Sequence, residues 1–439
     1  MIALLLLPII LGLVDAKLPN VLANIPDAVA KLANPFTARH GGLERSSQPD
    51  LDTKLYNTTE FGTPHQARAI AKRDFQSQCN HQVLVDGFRQ AEDILRDTLG
   101  ALDLVLSLYD DRPARQGLFK PSKMAQNDRT SDENLAMATF VAFFHAFYQG
   151  ESSPGVPHQD NNAGKARVEM IRQRTNDILN NVQAYNRGLR TTPRGTYGDV
   201  YLHCNENFWA RVDNNGLTYL QAHPGALEPD PLGQRHLWAR MGGRDYWYAM
   251  SRRCGTGPVA GIRDGITTNP NLYAFVTRNI GGTAPFEIMV FCAHHFNQGE
   301  KWDQGANNAY QLAALRKSRG QTALSALQQQ FINQPRGRDK SIRHFNQFIA
   351  TYIIHESSHA RKIVGDTKAT GDEPCNGNTP GWTGANTNTL TPTCLRHLAT
   401  LANDDRSERD AHTYAVYAAA TYASAIDWTA YTGVGRATW

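Results

Sequence analysis

The stretch SIRHFNQFIATYIIHESSHARKIVG, running from Ser341 to Gly365, constrains this chain more than any other. Ser341 has the chemistry of a helix N-cap, and Gly365 stands just past the last apolar pair, where a helix stops. Between them lie His355, Glu356 and His359 in the spacing H-E-x-x-H. On an α-helix, residues four apart share a face, so the two imidazoles can reach one metal ion. Glu356 follows the first of them, where its carboxylate can act on water beside the ion rather than bind the ion itself. A buried amphipathic helix with two incidental histidines would carry the same residues. The apolar run Ile349, Tyr352, Ile353 and Ile354 serves both readings, because a metal-binding helix must itself be packed. Signals of export and processing elsewhere in the chain favour the metal site.

Residues 1–16, MIALLLLPIILGLVDA, hold a short apolar run and end with small residues at Val14 and Ala16, the pattern of a secretory signal peptide cleaved after Ala16. The run is shorter than the roughly 20 residues a membrane span needs. No later segment is long and apolar enough to span, so the expected product is soluble and extracellular, with no membrane partner. Residues 17–73 end at Lys72-Arg73 and read as a propeptide released by a kexin-like protease. All six cysteines (Cys79, Cys204, Cys254, Cys292, Cys375, Cys394) follow that junction, and no C-x-x-C occurs. An even count in an exported chain implies three disulfides. Cys375 with Cys394 is the favoured pair, since it would staple a loop rich in Gly, Asn, Thr and Pro. The one N-glycosylation sequon, Asn57-Thr58-Thr59, lies in the expected propeptide.

The expected mature chain, 74–439, has three textures. Residues 79–186 are helical: Leu84, Phe88, Ala91, Leu95, Leu99, Leu102 and Leu106 recur at steps of three and four. Ser131 reads as the N-cap of a second helix, with Asp132 and Glu133 in its first turn, and His145 in its apolar run reads as a core histidine. Residues 191–296 carry short β-like runs punctuated by Gly, Pro and Asn: TYGDVYLHC, DYWYAMS, NLYAFVT and PFEIMVFC. The last of these, 286–292, is either an edge strand beside the metal helix, able to hold a peptide as an added strand, or a plain core strand. The adjacent pair His294-His295 reads as surface or packing residues. Residues 341–439 hold the H-E-x-x-H helix, a loop to about Thr393, and then two helices. Ala411, Tyr414, Ala415, Ala418 and Tyr422 form a stripe of small and aromatic residues on the last one. A net charge of +4, without a stripe of Lys and Arg interleaved with aromatics, argues against nucleic acid as a partner. Apolar content of 41% is that of a globular chain, and a monomer is expected.

A catalytic zinc usually takes three protein ligands, so two histidines are not enough. The residues after His359 are Ala-Arg-Lys-Ile-Val-Gly, which excludes H-E-x-x-H-x-x-G-x-x-H. A gluzincin would take Glu373 or Glu408 as its third ligand; an aspzincin would take Asp366 or Asp372. Asp410 and His412 are further donors in range of the sequence.

The chain resembles the deuterolysin group, the aspzincin metalloendopeptidases secreted by fungi, and their lysine-specific relatives. The exported precursor with a Lys-Arg junction is one shared feature, and a cysteine followed by helices at the start of the mature chain is another. FEIMVFC-x-x-x-F, from Phe286 to Phe296, is similar to their strand that ends in Cys before an aromatic. HESSH at 355–359 is the central match, and DAHTYAVYA at 410–418 resembles the N-A-D-x-Y-A helix near their C-termini. The match covers roughly the last 150 residues loosely, with strong specificity only at 355–359. Members usually carry G-T-x-D-x-x-Y-G after the zinc helix; this chain has GDTKATGDEPCNG, with no Tyr at the matching place, and His412 stands where they have Asp.

The resemblance implies an α+β, zincin-like metallopeptidase domain, mainly helical with a small sheet beside the H-E-x-x-H helix. It implies one catalytic Zn2+ held by His355, His359 and Asp366, with Asp372 as the second choice, and Glu356 as general base. Tyr414 and Tyr417 are the substitutes for the missing transition-state Tyr. The expected activity is that of a secreted zinc metalloendopeptidase on protein or peptide substrates. A gluzincin-like aminopeptidase, and a decayed zincin scaffold serving as a secreted binding protein, are the rival expectations.

Overall fold

The computed structural model describes residues 82–110, 130–144, 162–187, 196–197, 200–204, 210–226, 235–241, 244–250, 252–254, 261–263, 266–269, 272–277, 287–292, 312–333, 342, 345, 348–381, 383–384, 391–401 and 405–429. The chain divides into two units, Met1–Thr59 and Glu60–Trp439, and every described residue belongs to the second. The expected signal peptide and propeptide, the Lys72-Arg73 junction, Asn57, Cys79, His145 and the pair His294-His295 lie outside the described residues.

The architecture is mixed α+β. Helix α1 (Gln82–Asp110) buries Leu84, Phe88, Ala91, Leu95 and Leu102, the face that steps of three and four lay down. It packs on α2 (Ser131–Phe144) and α3 (Asn162–Asn186). The cap of α2 is Thr130 rather than Ser131. Thr130 Oγ1 accepts the Glu133 N–H (3.2 Å) and Glu133 Oε2 accepts the Thr130 N–H (2.8 Å), a reciprocal pair that leaves Ser131 as the first helical residue.

The middle of the chain forms three small sheets among the described residues. The four-stranded one runs β1 (Thr196–Tyr197), β2 (Val200–His203), β9 (Glu287–Phe291), β8 (Ala274–Thr277); β2 is parallel to β9, and β8 is antiparallel to it. Strands β3 (Arg235–Met241) and β4 (Arg244–Met250) make a hairpin, and β5 (Arg252–Cys254), β7 (Ile266–Asn269) and β6 (Gly261–Arg263) make the third sheet. A short helix, α4 (Tyr219–Ala222), precedes the hairpin.

Strand β9 is buried at every position. Met289 and Phe291 enter the main helical core, while Ile288 and Val290 join Tyr201, Leu237 and Tyr248 in a second cluster across the sheet. A strand covered on both faces reads as an unbroken apolar run, which is why FEIMVFC stands out in the sequence. Of the two readings of 286–292, the plain core strand holds: β9 lies between β2 and β8, and the edge nearest the H-E-x-x-H helix belongs to β8.

That helix, α6 (Ile349–His359), follows α5 (Ala326–Asn333) and is buried along Ile349–Ser358. It starts at Phe348 without a side-chain cap, so the reading of Ser341 as its cap does not hold. Burial, rather than capping, sets its start: Ile349, Ile353 and Ile354 sit in the core against α1 and α10 (Ala411–Tyr422). The chain breaks at Ala360 and makes one further turn, α7 (Arg361–Val364), which Gly365 ends at φ +82°, a left-handed conformation that glycine adopts without strain. Two more short helices, α8 (Pro392–Ala399) and α9 (Arg406–Arg409), lead into α10. Helix α10 buries the whole Ala411, Tyr414, Ala415, Ala418, Tyr422 stripe.

Helices α1 and α6 pack tightly at Gly87 of α1. A Cβ there would sit 2.4 Å from Ile349 Cγ2 and 3.1 Å from Ile353 Cδ1. A β-branched methyl in a buried helix has little room to yield, so Gly87→Val should destabilise the fold by about 1–3 kcal/mol, despite removing a helix-interior glycine. Thermal unfolding of the variant checks this; an unchanged or raised Tm would show that α1 and α6 are not in contact there.

Disulfides close two loops: Cys375–Cys394, the pair favoured from sequence, and Cys254–Cys292. Cys204 is also disulfide-bonded, with a partner outside the described residues. No described helix is long and apolar enough to cross a membrane.

Candidate metal centre

His355 and His359 lie one turn apart on α6, and their Nε2 atoms face each other at 3.1 Å with the rings nearly perpendicular. The Oδ1 atom of Asp372 completes a triangle with them, 3.5 Å from His355 Nε2 and 3.4 Å from His359 Nε2. Ligands at about 2.0–2.1 Å from a tetrahedral ion are separated by about 3.3–3.4 Å, so the three atoms fit one face of such a site. A third imidazole joins from α10: His412 Nε2 is 3.8 Å from the same Asp372 oxygen, and its ring centre is 4.1 Å from that of His355. Glu356 Oε1 is 3.8 Å from His355 Nε2.

The structure therefore brings together His355, Glu356 and His359, as the sequence spacing requires, but with Asp372 rather than Asp366. The Asp366 side chain is 79% exposed and pairs with Arg361 at 3.4 Å. Glu408 is buried against Arg167 (3.3 Å) and Ser407. Tyr414 donates its hydroxyl to Thr175 (2.9 Å), and Tyr417 packs edge-on against Phe144. Neither tyrosine joins the cluster; both serve the core of α10.

Backbone ties hold Asp372 in place. The Thr370 N–H donates to the Ser358 carbonyl (2.9 Å), while Ser358 Oγ and Thr370 Oγ1 share a hydrogen bond at 2.7 Å. Gly371 then runs parallel to Asp410, donating to the Arg409 carbonyl and accepting from the Ala411 N–H. Asp410 caps α10 by accepting the Thr413 N–H (2.6 Å), and its other oxygen accepts the Glu373 N–H (2.9 Å). One buried carboxylate thus fixes both the helix that carries His412 and the loop that carries Asp372. Arg174 of α3, also buried, donates to the carbonyls of Lys368 and Glu408 (2.8 Å each) and holds the same two segments from behind. Sequence reasoning did not find Arg174. Asp410, named from sequence only as a candidate donor, could have been read as a cap from D-x-x-T ahead of an apolar helix. Asp410→Ala should cost about 1–2 kcal/mol in stability and about 10–100-fold in metal affinity. Denaturation together with a metal-competition titration measures both, and unchanged affinity would show that Asp372 holds its place without it.

The His359 Nδ1 atom lies 3.0 Å from the Thr370 carbonyl; a proton donated there leaves Nε2 as a lone-pair donor toward the cluster. Burial would lower the His359 pKa, but its hydrogen bond to Asp372 and the Glu356 charge outweigh that and push it to about 9. Burial, with His412 and His359 beside it, holds His355 well below the usual imidazole value. Burial takes His412 down to about 4. It would raise Asp372, yet the hydrogen bond to His359 and the surrounding imidazoles hold that carboxyl below the usual range. Burial, with the Asp372 charge added, raises Glu356 to about 8, against His359 and a hydrogen bond from the Val276 backbone on β8. The cluster opens toward solvent on one side: the Asp372 side chain is 62% exposed, while those of His355 and Glu356 are 7% and 4%.

Two histidines, a carboxylate and a third imidazole are the donors zinc and similar ions take, and their convergence fits such an ion. No protein-family model matches the chain. Neither a curated protein nor a solved structure matches it.

Proposed function

We propose that this chain is a secreted, zinc-dependent endopeptidase of zincin-like, aspzincin type, with His355, His359 and Asp372 holding one Zn2+ and Glu356 acting as general base. The observation that carries the reading is the 3.1–3.5 Å triangle of His355 Nε2, His359 Nε2 and Asp372 Oδ1 beside a buried carboxylate on the same helix. Bound there, zinc would polarise a peptide carbonyl and acidify water. Glu356 takes the proton of the attacking water on its carboxylate and passes it to the departing amine. A carboxyl raised to about 8 by burial suits that exchange, since it can hold the proton and release it near neutral pH. The Val276 N–H of β8 orients the Glu356 carboxylate, and the rest of that edge can receive an extended peptide as an added strand. Two disulfides among the described residues and the signal-peptide pattern of the sequence 1–16 support an extracellular setting.

A gluzincin-like aminopeptidase has less support, because Glu408 is engaged by Arg167 and Ser407. One observation favours the decayed binding scaffold: Tyr414 and Tyr417 face the core, leaving the role of transition-state Tyr without either candidate. Peptides blocked at both ends separate the three readings. Internal cleavage supports the endopeptidase, cleavage only of unblocked peptides supports the aminopeptidase, and none supports the scaffold.

Zinc binding must also depend on pH. The metal-free His359 holds a proton below about pH 9, and an ion must displace it. Affinity should therefore fall as pH falls, by about tenfold per unit between pH 8 and pH 6. Competition titrations at the two pH values check this, and equal affinities would mean that His359 is not a ligand.

A further inference from the structure

We propose that His412 is a fourth protein donor to the ion, so that this chain offers three imidazoles and one carboxylate. The proposal rests on the metal reading above and goes beyond its three-ligand set. Its ground is convergence: a single carboxylate oxygen, Asp372 Oδ1, lies 3.4, 3.5 and 3.8 Å from the Nε2 atoms of His359, His355 and His412. His355, Asp372 and His412 also place one donor atom each within 4.8 Å of one another. The position is built rather than incidental. His412 sits in the first turn of α10, and Asp410, which caps that turn, simultaneously grips the Glu373 N–H next to Asp372. The His412 side chain is only 15% exposed, so its ring is held against the cluster rather than free in solvent. Four protein donors are the number that closes a structural zinc site. A fourth protein donor would separate this centre from sites with three protein ligands.

Cobalt(II) reports the donor set by its visible absorption. We would strip the processed protein of metal, titrate it with Co2+, and measure affinity by competition with a chromophoric chelator. The same titration would be run on His412→Ala and His412→Gln. The expected result is one Co2+ per wild-type chain, altered absorption bands in both variants, affinity lower by about tenfold or more, and recovery of band and affinity when free imidazole is added to His412→Ala. Should His412→Ala fail to fold, His412→Gln carries the comparison. Wild-type bands and affinity in a folded variant would overturn the fourth-donor assignment while leaving the metal centre standing. Absence of Co2+ uptake by the wild type would overturn both.

Discussion

Glu356→Gln is expected to lower turnover by about 10²–10⁴-fold while leaving zinc in place. The amide keeps the shape of the side chain but cannot take a proton from water, so the step it serves is lost. It also removes the charge whose pKa burial and Asp372 raise to about 8, so the buried α6 should tolerate it. The measurement is kcat on a blocked peptide together with zinc content of the purified variant. Loss of zinc would make Glu356 a ligand; undiminished kcat would remove it from the chemistry.

The second large effect separates two aspartates six residues apart. Asp372→Ala removes the oxygen on which three imidazole nitrogens converge, and zinc affinity should fall by more than about 100-fold. Asp366→Ala removes only an exposed pair with Arg361, worth about 0–1 kcal/mol to stability, and should leave affinity unchanged. Competition titration of both variants decides it. The reverse pattern would return the third-ligand role to Asp366.

The contrast shows what was legible before the structure. HESSH could be read directly because helix geometry fixes i and i+4 on one face without any tertiary information. The Cys375–Cys394 pair was legible for a similar reason: it closes a local loop. The third ligand was not, because it depends on how a loop returns. From Gly365 the chain turns outward, carrying Asp366 away, and comes back only where Thr370 bonds Ser358 and Gly371 pairs with Asp410. That pairing joins segments almost forty residues apart and leaves no local periodicity. Arg174 was hidden in the same way, and His412, one of several candidate donors in the sequence, could not be singled out, since their roles come from contacts between elements rather than from spacing within one. The sequence left 286–292 open between edge and core because an apolar run does not say which strands flank it; the fully buried 287–291 is internal, and the less buried β8 is the edge.

The central claim is that this cluster binds zinc and hydrolyses peptide bonds. Its most direct test is hydrolysis of a denatured protein by the processed chain, with a chelator and then with zinc restored. The account predicts internal cleavage that the chelator stops and added zinc recovers. Cleavage that persists in the chelator with no bound metal, or no cleavage by folded, zinc-loaded protein, would contradict it.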